Sequence, residues 1–294
     1  MAFGNPFQCE GEWLKGNLHT HTTRSDGRLT PQERVAAYED RGYDFLALTD
    51  HDVLADLEAL EASRLLLIRG MEVCADNPTG GPTFHLVGLG LPERFRLPAS
   101  RDAQAVIDAF NDAGGRAVVA HPYWCGQSIK DLEALAGFLG VEVFNTTCLR
   151  GIGKGTSSVQ WDDLLTQHKH ILGLAVDDAH GATRDAFQGW IVARCRERSA
   201  EAVMAAIANG QFYATRGPSF EAVAIEGNEV SVRTSPVASI SFICDDSRGG
   251  HVFNEDGSPV TEAKFTLNGS EVFLRIECID QAGLTAWTNP LFVK

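Results

Sequence analysis

Imidazoles and carboxylates recur in short motifs along the first two thirds of the chain. His19-Thr20-His21 comes first, followed by Thr49-Asp50-His51-Asp52, Glu72, His85, His121-Pro122 and Asp178-Ala179-His180. Brought together, such donors would make a metal site. Taken singly, each has an ordinary reading. His-x-His puts two rings on one face of a strand, and His85 reads as a hydrogen-bonded core histidine. His121-Pro122 reads as a strand stop and Glu72 as a buried carboxylate with a partner. Their common position separates the readings: six of the nine histidines and three acidic residues lie at strand ends or within strands that follow one another. In barrel-like α/β folds the downstream ends share one face, so residues far apart in sequence converge there. A solvated surface does not produce that pattern.

Other chemistries are poorly supported. His168-Lys169-His170 repeats the His-x-His spacing but precedes a strand, which puts it at the opposite rim as a decoy. His251 lies in the C-terminal part without acidic or imidazole company. Residues 151–155 (GIGKG) offer backbone N–H groups to a phosphate but lack the P-loop pattern. Cys74, Cys125 and Cys148 fall beyond strand ends without a Cys/His/Asn arrangement, and no Gly-x-Ser-x-Gly elbow is present.

Elements able to position these residues are legible in the apolar pattern. Residues 13–19, 45–48, 65–68, 84–89, 117–120, 141–144 and 171–176 read as strands alternating with helical patterns, which indicates an α/β fold with a largely parallel sheet. Thr30-Pro31-Gln32-Glu33 is a capping box with proline at the first helical position, and Gly42 can end that helix. Ser100 starts another helix, where Ala103, Val106, Ile107 and Phe110 form a core-facing stripe. Beyond Gly217-Pro218 the period changes to two: Val230 and Val232, Ile240 and Phe242, then Val272, Leu274, Ile276 and Cys278. The expected division is 1–216 and 217–294, the second part a small antiparallel β-domain.

Composition narrows the partners. The 294 residues, 44% of them apolar, suffice for a substantial core. No apolar run approaches the roughly 20 residues that span a bilayer, and residues 1–10 show no signal stretch. Seven scattered cysteines without CxxC suit a reducing compartment, so a cytoplasmic protein is expected. With 25 basic against 39 acidic residues, the net charge of −14 opposes binding of bulk nucleic acid. A small anionic substrate is compatible with one locally cationic pocket.

The motifs NLHTHTTRSDG, ALTDHD, GMEV, His85, AHP and DDAH together resemble the ordered set of the PHP (polymerase and histidinol phosphatase) superfamily, over roughly residues 13–210. The final strands, ending in AWTNPLFV, resemble the C-terminal extension of the CehA/McbA-like branch. The resemblance implies a distorted (β/α)7 barrel holding two or three divalent ions, usually manganese, iron or zinc, at its C-terminal face. Carried over by motif, His19, His21, Glu72 and Asp178 would hold the first ion, Glu72, His85 and His121 the second, and Asp26, His51 and His180 the third. Many relatives have histidine where Asp26 stands, which makes the third site harder in character and favours manganese or iron. Asp50 is either an acceptor orienting an imidazole or an exposed loop carboxylate.

The activity so implied is a metal-dependent phosphoesterase acting on a small phosphorylated metabolite or nucleotide through a metal-bridging hydroxide. Glu72, Asp178 and His180 would be central to it, with Arg184 clamping the phosphate and Arg150 and Lys154 as weaker candidates. Three carboxylates and neutral imidazoles around three divalent ions leave a charge of about +3, which suits phosphate. Hydrolysis of a carboxylic or carbamate ester is the alternative, and a metal-braced binding module the third reading.

Overall fold

The computed structural model describes residues 5–292. Its first part runs β1 (Glu12–Asn17), α1 (Pro31–Glu39), β2 (Phe45–Leu48), β3 (Leu66–Ala75), β4 (Phe84–Leu89), α2 (Ala103–Asp112) and β5 (Arg116–Val119). Then come α3 (Pro122–Cys125), α4 (Ile129–Glu133), β6 (Gly140–Asn145), α5 (Thr146–Ile152), α6 (Ser158–Thr166) and β7 (Leu172–Val176). Strands β1, β2 and β3 pair in parallel, as do β5, β6 and β7. The two sets are joined through β4, which is antiparallel to both β3 and β5. Beyond β7 the chain returns to β1: Asp178 N–H donates to His19 O (2.9 Å) and His21 N–H to Ala179 O (3.0 Å). The two ends of this strand series therefore meet where the candidate ligands lie.

The reversal of β4 corrects the expectation of regular βα repeats. No helix stands between β3 and β4; they form a hairpin with Cys74 opposite His85. Because β4 runs backwards, its upstream end lies at the rim where its neighbours have their downstream ends, and His85 joins the cluster from there. Strand β3 is also longer than its apolar pattern suggests, so Glu72 stands inside the strand and does not follow it.

Local signals for the helices hold with one shift. Thr30 accepts from Glu33 N–H while the Glu33 carboxylate accepts from Thr30 N–H, closing the capping box of α1. Helix α2 is capped by Asp102, not Ser100, and its four stripe residues are all buried. Those side chains pack on the sheet, each worth roughly 1–3 kcal/mol on transfer from water. Close approach is secured by glycine: a Cβ on Gly88 would lie 2.8 Å from the Phe110 ring.

Past β7 come β8 (Trp190–Cys195), α7 (Ala200–Ala208) and β9 (Phe212–Thr215), then strands only. These are β10 (Phe220–Glu226), β11 (Glu229–Val237), β12 (Ser239–Cys244), β13 (Gly249–Phe253), β14 (Val260–Thr266), β15 (Phe273–Ile279), β16 (Thr285–Thr288) and β17 (Leu291–Phe292). Strands β10, β11 and β14 form one sheet, while β12, β13, β15, β16 and β17 extend the main sheet through β9 and β8 onto β1. The period-two residues Val230, Val232, Ile240, Phe242, Leu274, Ile276 and Cys278 are buried in one cluster. Five of the C-terminal strands thus continue the sheet that carries the site, and β10, β11 and β14 stand apart from it. Arg275, almost fully buried on β15, grips the Asp162 carboxylate of α6 with two bonds of 2.7 Å. Among the described residues no helix is long and apolar enough to cross a membrane.

Candidate metal centre

The centre is built around one carboxylate. Glu72, 1% exposed, places Oε2 3.1 Å from His19 Nε2, 3.1 Å from His21 Nε2 and 3.3 Å from His51 Nδ1. Its Oε1 lies 2.8 Å from His85 Nδ1 and 3.5 Å from His121 Nε2. Five imidazoles thus converge on a single side chain. Asp178 adds a second buried carboxylate, its Oδ1 3.0 Å from His21 Nε2 and 3.3 Å from His19 Nε2. Asp26 lies at the open side, 3.4 Å from His180 Nε2 and 3.7 Å from His51 Nε2.

All nine residues singled out as ligands therefore lie in one cluster, and their donor atoms fall into compact groups. One comprises His19, His21, Glu72 and Asp178, a second Glu72, His85 and His121, and a third His21, Asp26, His51 and His180. The third contains His21 as well as the expected residues, because His21 Nδ1 faces Asp26 at 3.5 Å. A further group joins Cys148 to His121 and Asp178. The thiols of Cys74 and Cys125 each lie 3.4 Å from a ring nitrogen, of His85 and His121 respectively.

Two residues that sequence reasoning missed hold the cluster from behind. Buried Glu142 on β6 accepts from His19 Nδ1 at 2.6 Å, and its other oxygen accepts from His121 N–H and from Asn145 Nδ2. Asn145 Nδ2 also donates to Asp178 Oδ2 at 3.1 Å. The available signal was an acid inside the apolar run 140–145, where every residue is buried. A carboxylate on the far nitrogen of an imidazole fixes its tautomer and orientation, and removing it typically costs 10–100-fold in metal affinity or activity. Glu142→Gln should therefore weaken metal loading by about that factor without emptying the third group, measured by metal titration.

Asp50 fits neither expectation. It is buried, and it accepts from Thr22 N–H, Thr22 Oγ1 and Ser25 Oγ, each at 2.7 Å. It fastens the turn that carries Asp26. Asp177, the first acid of DDAH, accepts from Asn17, Tyr38 and Thr146 and from the N–H groups of Phe187, Gln188 and Gly189. Asp178 and His121 hold left-handed backbone (φ 56° and 30°), a conformation costly for side-chain-bearing residues and frequent where function dictates geometry.

Electrostatics and hydrogen bonding agree on the need for a cation. Burial acts to lower the imidazole pKa values, yet the neighbouring carboxylates of Asp178 and Glu72 lift His21 to about 9. Hydrogen bonds to Cys74 and Glu72 likewise outweigh burial and lift His85 to about 10. Glu72 is held well below the usual carboxylate range, burial being overcome by the charge of His19 and by imidazole hydrogen bonds. A divalent ion bound among these carboxylates would supply the positive charge in place of protons on the imidazoles. Asp178 Oδ1, buried, has no well-aligned hydrogen-bond donor, although His21 Nε2 stands 3.0 Å and His19 Nε2 3.3 Å away. An orphaned oxygen among imidazole nitrogens fits a divalent metal.

The remaining candidates fall elsewhere. Arg184 is exposed and borders a cavity that includes His180, with Arg150 on the same cavity. Lys154 lies over the Tyr123 ring, and Gly153 is the left-handed C-cap of α5, so the GIGKG run ends a helix and offers carbonyls, not a nest of N–H groups. His168 and His170 precede β7, at the rim away from the cluster, and both are exposed. His168→Ala/His170→Ala should leave metal content unchanged by elemental analysis; a loss would show that the rim assignment fails. His251 is exposed and bonds Ser241 Oγ.

No protein-family model matches the chain. Over 108 residues it is 37% identical to the 5'-3' exoribonuclease Rnm of Salmonella typhimurium, covering 35% of this chain and 36% of that protein. Over 79 residues it is 42% identical to a 3',5'-nucleoside bisphosphate phosphatase of Chromobacterium violaceum, covering 26% of this chain and 27% of the relative. The chain thus matches little more than a third, at most, of the length of these relatives. A solved two-domain protein of Bacteroides vulgatus, containing a predicted PHP-like metal-dependent phosphoesterase, superposes with a TM-score of 0.55 at 17% identity, over 95% of this chain and 94% of that one. The chain is thus similar in sequence to these two enzymes over segments of 108 and 79 residues, and over nearly its whole length it has the fold of the two-domain protein that contains the predicted PHP-like domain.

Proposed function

We propose that this protein is a metal-dependent phosphoesterase acting on a small phosphorylated metabolite or nucleotide. The observation that carries the reading is Glu72, one buried carboxylate within 3.5 Å of five imidazoles. In this reading His19, His21, Glu72 and Asp178 hold one ion, Glu72, His85 and His121 a second, and Asp26, His51 and His180 a third. Bound divalent ions would supply Lewis-acid activation of water and positive charge for the phosphoryl oxygens. Glu72 sets the spacing of two ligand groups by belonging to both. Glu142 and Asn145 keep His19 and Asp178 oriented, and Asp50 holds Asp26 at the mouth. Arg184 contributes a planar guanidinium suited to two phosphate oxygens.

In the same reading residues 1–216 form the distorted (β/α)7 barrel of the hydrolase, and 217–294 a small antiparallel β-domain of CehA/McbA type. The acidic balance speaks against bulk nucleic acid, although one relative is named an exoribonuclease, so an RNA end belongs among the substrates to be tried. Seven unpaired cysteines suit a reducing cytoplasm. Protein purified without added metal should contain about two or more transition-metal ions per chain and release phosphate from nucleotides or sugar phosphates. Less than about one ion per chain, with no gain on reconstitution, would refute the reading.

A further inference from the structure

Four of the seven cysteines are buried: Cys148, Cys195, Cys244 and Cys278. A buried thiol ordinarily serves as a small apolar filler, and three of these do. Cys195 packs in the main apolar core, and Cys244 and Cys278 pack in the cluster of the C-terminal strands. Cys148, on the first turn of α5, belongs to none of the three apolar clusters. It stands instead among the metal-binding groups: one donor atom from each of His121, Cys148 and Asp178 lies within 4.8 Å of the others, and all three residues are buried. The residue is anchored there by its backbone N–H, which donates at 2.9 Å to Oδ1 of Asn145, the side chain that also donates to Asp178 Oδ2. Asp178 supplies an independent sign of a ligand. Its side chain is 6% exposed, and Oδ1 has no well-aligned hydrogen-bond donor. Buried polar atoms without a hydrogen bond are few in folded proteins, and a bound ion is one of the groups that satisfies them.

Thiolate is a soft donor that suits zinc and poorly suits manganese, whereas carboxylates suit manganese. The centre changes character accordingly from its mouth, where exposed Asp26 stands with His51 and His180, to its buried side, where Cys148 stands. We propose that Cys148 is a tenth ligand, and that His121, Cys148 and Asp178 form a thiolate position for a borderline-soft divalent ion such as zinc. Binding breaks the S–H bond, forms a metal–sulfur bond and releases the proton to solvent. His121 and Asp178 also belong to the groups built on Glu72, so an ion on the sulfur competes with ions held there by oxygen and nitrogen alone. One side chain thereby biases the whole centre toward sulfur-preferring metals. Cys74 and Cys125 have a different place. Their thiols lie 3.4 Å from His85 Nε2 and His121 Nδ1, the latter contact leaving His121 Nε2 for an ion, and neither belongs to a donor group among the described residues. The inference depends on the donor cluster and not on which bond the protein hydrolyses.

The test uses cobalt(II), whose bonds to thiolate sulfur give an intense charge-transfer absorption in the near ultraviolet that nitrogen and oxygen ligands do not give. Chelator-treated protein titrated with cobalt(II) should develop that band in the wild type, in Cys74→Ser and in Cys125→Ser, and should lack it in Cys148→Ser. Cys148→Ala, which removes the sulfur without burying a hydroxyl, is the second variant, and the melting temperature checks the folding of both. Equilibrated with a mixture of cadmium and manganese, the wild type should hold a cadmium-to-manganese ratio about tenfold or more above that of the Cys148 variants, read by elemental analysis. The proposal is overturned by a cobalt-loaded wild type without the thiolate band, by a band that survives both Cys148 substitutions, by a band lost only with Cys74 or Cys125, or by an unchanged metal ratio. None of these readouts needs turnover. A thiolate band due to Cys148 in a protein that hydrolyses no phosphoester supports the position and refutes the phosphoesterase reading, whereas phosphoester turnover without such a band refutes the position alone.

Discussion

Glu72→Gln should abolish turnover, with kcat/KM falling by well over the roughly 100-fold attributable to an orienting contact. The substitution nearly preserves shape but removes the charge on which His19, His21, His51, His85 and His121 converge. An amide has one acceptor oxygen, so it cannot serve two ligand groups with two equivalent oxygens. Metal content should fall together with activity, and circular dichroism should show whether the strands persist. Near-normal turnover with a full metal complement would refute the bridging role of this residue. The effect should exceed that of Glu142→Gln, because Glu142 acts on the cluster only through His19, His121 and Asn145.

The second large effect is expected at Asp26. Its side chain is more than half exposed, so truncation leaves no buried cavity and the fold should persist. Asp26→Ala should weaken the group made with His51 and His180, while the donors around Glu72 and Asp178 remain. A phosphoryl transition state spreads charge over oxygens that a third cation would neutralise, whereas a tetrahedral carbonyl adduct concentrates it on one. Phosphoesterase activity should therefore fall by at least about 100-fold, and any hydrolysis of carboxylic or carbamate esters should survive better. Both rates should be measured alongside metal content. Equal losses with two metals still bound would mean that this position does not discriminate between substrates. His21 complicates the separation, since its Nδ1 faces Asp26 while its Nε2 faces Glu72, so a modest loss in the inner groups is also expected.

By itself the sequence determined which residue types stand at strand ends, and with them eight of the nine candidate ligands; Asp26, in the loop after β1, came from the motif resemblance alone. The local physics also lay in short windows: the capping box at Thr30, the helical stripe from Ala103 to Phe110, and the period-two burial of Val230, Val232, Ile240 and Phe242. Such signals are legible because they depend on neighbours within one or two turns or one strand. What only the tertiary structure decided depends on pairings between distant segments. The reversed direction of β4 brings His85 to the rim, and no residue within that strand records it. Glu142 meets His19 across 123 positions, and Asp50 meets Thr22 and Ser25 across a strand pair, so their partners could not be read from spacing.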